Sequence, residues 1–292
     1  AVPPCEEARL SAARHVLAAL PPHPGGDTGH FTPDYERVLR LGVAGLRRYA
    51  ADLKAAAPAD RRDFYAACQI VLAALARFIE RNAALAEEHA AQASDPDRRA
   101  ELAEVAAICR RIASDPPHTF HEAIQLLHFV LVAVWFGEQH GLTTPGRLDR
   151  LLGPFYQADL AAGRITPGRC QELIDCLYVM FNEYCKPGLA VSVMVGGQDA
   201  HGRDCTNDLS YLCIQALLDV RLNYPTVGIC WHPGTPQRLI DLGIEALAAG
   251  RGSPAFFNDE LIASGLRDLG VSRQDSYLYQ NSTCVEIAPI GT

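Results

Sequence analysis

The sequence predicts an α/β protein, with a helix-rich first half followed by parallel strands that alternate with helices. Two observations carry this. From residue 32 to 182, apolar residues recur at helical spacing between recognisable helix caps. After residue 189 the rhythm changes to short β-branched runs, each followed by a turn and a long helix. Strands separated by helices pair in parallel and are covered by those helices.

The elements follow in order. In Thr32-Pro33-Asp34, an N-cap is followed by Pro at the first helical position, and the helix runs to about Ala57. Asp60 starts a second, whose Phe64, Cys68, Val71, Leu72, Leu75, Phe78, Ile79 and Leu85 mark one apolar face. Asp95-Pro96 opens a third, ending near Ser114. Asp115-Pro116-Pro117 breaks the chain, and Thr119 with Glu122 forms a capping box for the next helix. Thr166-Pro167 caps another, to about Asn182. Residues Ala190 to Val195 read as a strand ending at Gly196-Gly197, and Thr206 to Val220 as a helix. Thr226 to Trp231 is a second buried strand, and Thr235-Pro236 opens a helix ending at Gly250. In such a sheet, catalytic residues belong at the strand C-termini.

Composition narrows the function classes. Apolar residues make up 49% and charged residues 21% of 292, as in ordinary globular domains. A net charge of −8 argues against nucleic acid or an anionic membrane as partner. The most apolar stretch, Ala123 to Phe136, carries Gln125 and His128 and reads as a buried helix. Ten cysteines include no CxxC pair, and most fall inside helical apolar patterns. With no signal peptide at the N-terminus, the chain reads as a reduced cytoplasmic protein. His121, Gln125 and His128 share a helix face, but no carboxylate or Cys completes a metal-ligand set at matching spacing.

The residues that point to chemistry are near the end. In Asn281-Ser282-Thr283-Cys284-Val285-Glu286, polar residues ahead of a Cys place it in a loop. A spacing of two lets Cys284 and Glu286 face one cavity if the backbone is extended. A thiol with a carboxylate supplies a nucleophile or radical carrier plus a proton-transfer group. The tripeptide alone reads more readily as a buried structural Cys beside a surface Glu.

Six blocks in order change that balance: Gly29-His30-Phe31-Thr32-Pro33-Asp34-Tyr35, then Pro116 to Ala123, then Gly146-Arg147-Leu148-Asp149 with Tyr156 to Leu160, then Gly196-Gly197 with Asp204 to Leu212, then Pro254 to Glu260, and finally Cys284-Val285-Glu286. Together they make the chain resemble the glycyl radical enzymes, the group with a pyruvate formate-lyase-like domain. The resemblance implies an α/β barrel of two half-barrels wrapped in helices. This chain would supply the helix-rich N-terminal half and one half-barrel, with a Cys finger loop at its C-terminal end. It implies no bound cofactor. Instead a glycyl radical, on a segment beyond this chain, is installed by a radical-SAM activating enzyme; the other implied partners are a small hydroxylated substrate and a second copy in a homodimer.

Within that resemblance, Cys284 is the thiyl residue and Glu286 its acid/base partner. Two adjacent cysteines are expected of a formate acetyltransferase, and Thr283 precedes Cys284 here. Cys-Val-Glu instead resembles the eliminating branch, the dehydratases and C–X lyases. Thr143, after Glu138-Gln139-His140-Gly141-Leu142, is the nearest match to a substrate-contacting hydroxyl. Trp231 lines the pocket or is plain core. Asn258 and Asp259 face the pocket, or Asn258 caps a helix. Because the resemblance expects a second half-barrel and a terminal radical segment, residues 1–292 are expected to be a central fragment, inactive alone. The alternatives are acetyltransferase-like acyl transfer and a truncated interaction subunit.

Overall fold

The computed structural model describes residue 11 and residues 32–137, 142–184, 190–281 and 285–290. Cys284, and residues 138–141 before Thr143, lie outside the described residues.

The front is a stack of helices: α1 (Tyr35–Ala56), α2 (Arg62–Gln92), α3 (Pro96–Ile112) and α4 (Phe120–Gly137). The first helix starts two residues later than expected: Asp34, not Thr32, is its cap and accepts from the Arg37 N–H, whereas Asp95 accepts from the Asp97 N–H as expected. The capping box is reciprocal: Thr119 Oγ1 accepts from the Glu122 N–H at 3.2 Å, and Glu122 Oε2 accepts from the Thr119 N–H at 3.2 Å. The first helix is kinked at Gly42, which sits at φ 63°. A Cβ there would stand 2.4 Å from the Pro116 nitrogen, so only glycine lets α1 cross the Pro-Pro break so closely.

The apolar face expected of the second helix is only partly buried. Ile79 is fully covered, whereas Phe64 is 67% and Val71 55% exposed. At 31 residues α2 is far longer than the 17-residue α3, and its buried positions Ile79, Ala83, Ala86 and Ala90 all lie in its second half. By length and composition α4 could cross a membrane, but 67% of it is buried, which marks it as a core helix.

Next come the α/β elements: β1 (Gly146–Arg147), α5 (Leu148–Ala161), α6 (Pro167–Tyr184), β2 (Ser192–Gly196), α7 (Asp208–Val220), β3 (Thr226–Trp231), α8 (Gln237–Ala248), β4 (Ala255–Asn258) and α9 (Asp259–Asp268). The four strands form one parallel sheet in the order β1-β2-β3-β4. Alternation divides its residues between two faces. Val193, Val195, Val227 and Ile229 join the main core beneath α5, α7 and α8. Met194 and Cys230 point the other way and pack with Phe257, Leu266 and Tyr279.

That second face is covered by an antiparallel hairpin, β5 (Tyr279–Asn281) and β6 (Ile287–Pro289). Neither hairpin strand hydrogen-bonds into the sheet; β5 lies against β1 and β2 through side chains.

His128 is half-buried on α4, and desolvation of its ring lowers its pKa from 6.5 to about 4. The folded value lies below the unfolded one, so on acidification the unfolded chain takes the proton first. The stability tied to the neutral ring is complete above pH 6.5, declines towards pH 4 and falls no further below. At about 1.4 kcal/mol per pK unit it amounts to at most about 3 kcal/mol. Melting temperatures of His128→Gln are expected to fall less steeply than wild type between pH 6.5 and 4. Parallel curves would show that the imidazole does not titrate on unfolding.

Candidate active site

The hairpin is fixed to the sheet by a buried polar network that starts from β1. Arg147, 4% exposed, points from this two-residue strand across the inner face. Its Nη2 donates to the Gly196 carbonyl at 3.1 Å, and its Nη1 donates to Cys230 Sγ at 2.6 Å and to the Tyr279 carbonyl at 3.4 Å. The guanidinium also lies over the Tyr279 ring, 5.1 Å from its centroid. Burial works against its charge. Cys230, Tyr279, Asp259 and Asp149 around it nevertheless hold its pKa above the ordinary arginine value. Burial pushes the Cys230 thiol up to about 11, against the pull of Arg147.

Two carboxylates complete the network. Asp149, wholly buried, accepts from the Gly196 N–H at 2.7 Å and the Ser210 hydroxyl at 2.5 Å. Burial raises its pKa, opposed by those same hydrogen bonds. Asp259, also wholly buried, accepts from the Gln198 N–H at 2.7 Å and the Tyr279 hydroxyl at 2.8 Å. Between these groups runs Gly197 at φ +76°, where a Cβ would stand 2.5 Å from Arg147 Nη2 and 2.7 Å from Cys230 Cβ. Arg150 closes the rim by donating to the carbonyls of Gly196, Gln198 and Tyr277. The strand C-termini are therefore filled with internal hydrogen bonds.

From Tyr279 at that end, β5 runs back along the inner face. Asn281 lies at the start of β2, where Ser192 Oγ donates to its carbonyl at 2.6 Å and its N–H meets Met194 Sδ at 2.8 Å. The network occupies the C-terminal end of the sheet, and β5 runs from it along the face towards the start of β2.

The sequence-predicted residues are dispersed around this frame. Glu286, immediately before β6, is exposed, and its Oε2 accepts from the Val285 N–H at 3.2 Å. Thr143 is fully buried, and its carbonyl accepts from the Trp135 indole at 3.2 Å. Trp231 is half-buried and has the strand parity of Val227 and Ile229, the helix side of the sheet. Asn258 is exposed and caps α9, accepting from the Leu261 N–H at 3.0 Å. Asp259 joins Arg147, Cys230 and Tyr279; Trp231 and Asn258 pair in register one strand-end away. The sequence reading assigned no role to Arg147, Cys230 or Tyr279. The signal for Arg147 and Asp149 was the block Gly146-Arg147-Leu148-Asp149. Among the described residues no cluster of three or more His, Cys, Asp or Glu side chains could hold a metal ion.

Comparison with known proteins gives one consistent result. The family model described as pyruvate formate lyase-like matches residues 6–292. Isethionate sulfite-lyase from Nitratidesulfovibrio vulgaris is 34% identical over 274 residues, covering 87% of this chain and 33% of that protein. (2S)-3-sulfopropanediol dehydratase from Klebsiella oxytoca is 33% identical over 278 residues, covering 89% and 34%. Among solved structures, the glycerol-bound B12-independent glycerol dehydratase from Clostridium butyricum superposes with a TM-score of 0.86. It is 29% identical, and the match covers 91% of this chain and 36% of that one. Hydroxyproline dehydratase from Clostridioides difficile, with trans-4-hydroxy-L-proline bound, gives 0.86 at 25% identity, covering 96% and 40%. The chain thus spans about a third of the length of the curated relatives it matches.

The Asp259–Tyr279 contact joins the sheet to the hairpin and is open to a double-mutant cycle. Asp259→Asn and Tyr279→Phe are each expected to cost about 1–3 kcal/mol in urea unfolding, the range for a buried hydrogen bond left half-made. The double variant should lose less than the sum, by on the order of 1 kcal/mol. Full additivity would mean that the two side chains act independently.

Proposed function

Because this chain belongs to the pyruvate formate lyase-like family, matched over residues 6–292, we propose that the full-length protein is a glycyl radical lyase or dehydratase. In this reading Cys284 carries the thiyl radical and Glu286 moves the proton. The supporting observation is the hairpin: its strands lie on the inner face of a parallel sheet, with Cys284-Val285-Glu286 in the chain that joins them. The relatives point to the branch. They include a sulfite-lyase, a sulfopropanediol dehydratase and a hydroxyproline dehydratase. Thr283 ahead of Cys284 leaves no second thiol there for acyl transfer.

The proposed sequence balances simply. The Cys284 thiyl removes a hydrogen atom from the carbon bearing the substrate hydroxyl, making S–H and leaving a carbon radical. Glu286 accepts the hydroxyl proton as the neighbouring C–X bond breaks and X leaves as an anion. The product radical then recovers a hydrogen atom from the Cys284 thiol. The reacting atoms must be held in near contact and away from water. With Glu286 exposed here, the rest of the full-length protein is proposed to cover it. The glycyl radical, the radical-SAM activating enzyme that installs it and the homodimer belong to the same proposal. Thr143 is retained as a substrate-facing candidate. Trp231 and Asn258 are retained as contributors to the pocket rim, and Asp259 as the residue that holds the hairpin's base.

The test uses the full-length protein, activated anaerobically with a radical-SAM activating enzyme and screened against isethionate, 3-sulfopropanediol, 1,2-propanediol, glycerol and trans-4-hydroxy-L-proline. Activation is expected to give a glycyl doublet by electron paramagnetic resonance. Cys284→Ala should keep that doublet and show no turnover. Glu286→Gln should keep it with kcat lowered on the order of a hundredfold or more, the usual worth of a proton-transfer group. Turnover by Cys284→Ala would overturn the assignment.

A further inference from the structure

The first half of α2 turns an apolar stripe outward. Its other side packs on the core through Leu72, Leu75 and Ala76. Facing away, Phe64 is 67%, Ile70 68% and Val71 55% exposed, and Ala67 and Ala74 on the same face are exposed as well. At 3.6 residues per turn these five positions fall within about a third of the helix circumference. Their three-and-four spacing is the one by which two helices interlock. Single exposed apolar residues are ordinary on a surface, whereas a continuous stripe marks a contact.

The charges around the stripe say what meets it. Its N-terminal end carries Asp60, in the turn leading into the helix, and Asp63; its C-terminal end carries Arg77 and Arg81. On one flank stand Arg62 and Glu80, about five whole turns apart and so in line with each other. All six are exposed, and among the described residues none of them forms a salt bridge. A second copy of the helix laid parallel would set each charge against its own kind. Laid antiparallel, about a two-fold axis between Ile70 and Val71, each meets its opposite. Asp60 then faces Arg81, Arg62 faces Glu80 and Asp63 faces Arg77, and one register serves all three pairs. The same register sets Ala67 of one copy beside Ala74 of the other, small residues that let the helices approach, and brings Ile70 and Val71 together on the axis. A two-fold interface needs a patch that is complementary to itself, and this one is.

We propose that this face of α2 is a homodimer interface, in which two copies of the chain pair their α2 helices antiparallel across Ile70 and Val71. The apolar centre supplies the attraction. The surrounding ion pairs, individually weak in water, set direction and register. The surface would serve the homodimer named above, but its test needs neither activation nor turnover, so it stands or falls apart from the radical chemistry.

The test is sedimentation velocity of the unactivated full-length protein across a dilution series. The wild type is expected to be a dimer, and Ile70→Glu should raise its dissociation constant on the order of a hundredfold, as for a residue at the centre of an interface. Asp63→Arg and Arg77→Asp should each raise it on the order of fivefold or more. Combined in one chain, they should return it to within about twofold of wild type. Positions 63 and 77 are roughly 21 Å apart along one helix, so that recovery requires contact between copies. With Cys68 replaced by Ala, Ala67→Cys/Ala74→Cys should form a disulfide-linked dimer on mild oxidation, with the 67–74 linkage identified by peptide mass spectrometry. Neither cysteine alone should do so, because like positions lie about 10 Å apart across the axis, beyond disulfide reach.

A wild-type monomer at micromolar concentration overturns the interface. If Ile70→Cys is then also shielded from alkylation, the face belongs to the remainder of the same chain. A dimer whose dissociation constant is unchanged in Ile70→Glu overturns it too, since the copies then meet elsewhere. Should Ile70→Glu fail to fold, the charge exchange decides: single reversals as tight as wild type, or no recovery when they are combined, reject the pairing.

Discussion

The structure depends on one buried cation. Arg147 carries a guanidinium that is almost wholly removed from water, and a charge in that position is tolerated only when it is surrounded by acceptors. Its surroundings explain features that otherwise look unrelated. Position 197 has no side chain because Arg147 Nη2 occupies the space. Position 230 carries a small, polarizable thiol because the guanidinium touches it. Tyr279 must bring its ring and carbonyl together over the same group. Removing hydrophobic packing would loosen this part of the molecule; removing the cation would take away the reason for the hairpin's register. Buried ion networks are a weak source of net stability, and their value lies in making one arrangement much better than its neighbours.

Much of the helical half was legible because helix ends are written locally. Asp95, Thr119 with Glu122, and Thr166 each bond a backbone N–H within three residues. Strands β2 and β3 were legible because both of their faces are covered, which makes them short continuous apolar runs. The two residues of β1 and the three each of β5 and β6 carry no period to read. They become strands only when the sheet and the network hold them. The α2 stripe went wrong for a related reason: periodicity reports which residues share a face, and says nothing about how far along the helix a neighbour extends.

The site was legible in a different sense. Cys284 and Glu286 stood out by chemistry and by resemblance, but the residues that aim the hairpin did not. Arg147, Cys230 and Tyr279 are ordinary residues in sequence and acquire meaning only from being brought together. Positions 147 and 279 are 132 residues apart. In open parallel sheets ligands meet loops beyond the strand C-termini. Here that end is filled by Asp149, Arg150 and Asp259 bonding the backbone at residues 196 and 198.

A strand laid on the face of a sheet has a problem that an edge strand does not, and its solution is visible in β2. An edge strand pairs its backbone with its neighbour, whereas a strand on the face cannot, because the sheet's own backbone groups are already used within the plane. Its buried N–H and C=O groups must be met by side chains. Arg147 donates to the Tyr279 carbonyl, Ser192 Oγ to the Asn281 carbonyl, and Met194 Sδ lies against the Asn281 N–H. This is why the inner face of β2 reads Ser192, Met194, Gly196 while its outer face is Val193, Val195. An aliphatic residue at 192 would pack as well by volume and remove the Ser192 donor from that carbonyl. The polar residue in an otherwise apolar strand is therefore the imprint of the hairpin on the sheet that carries it.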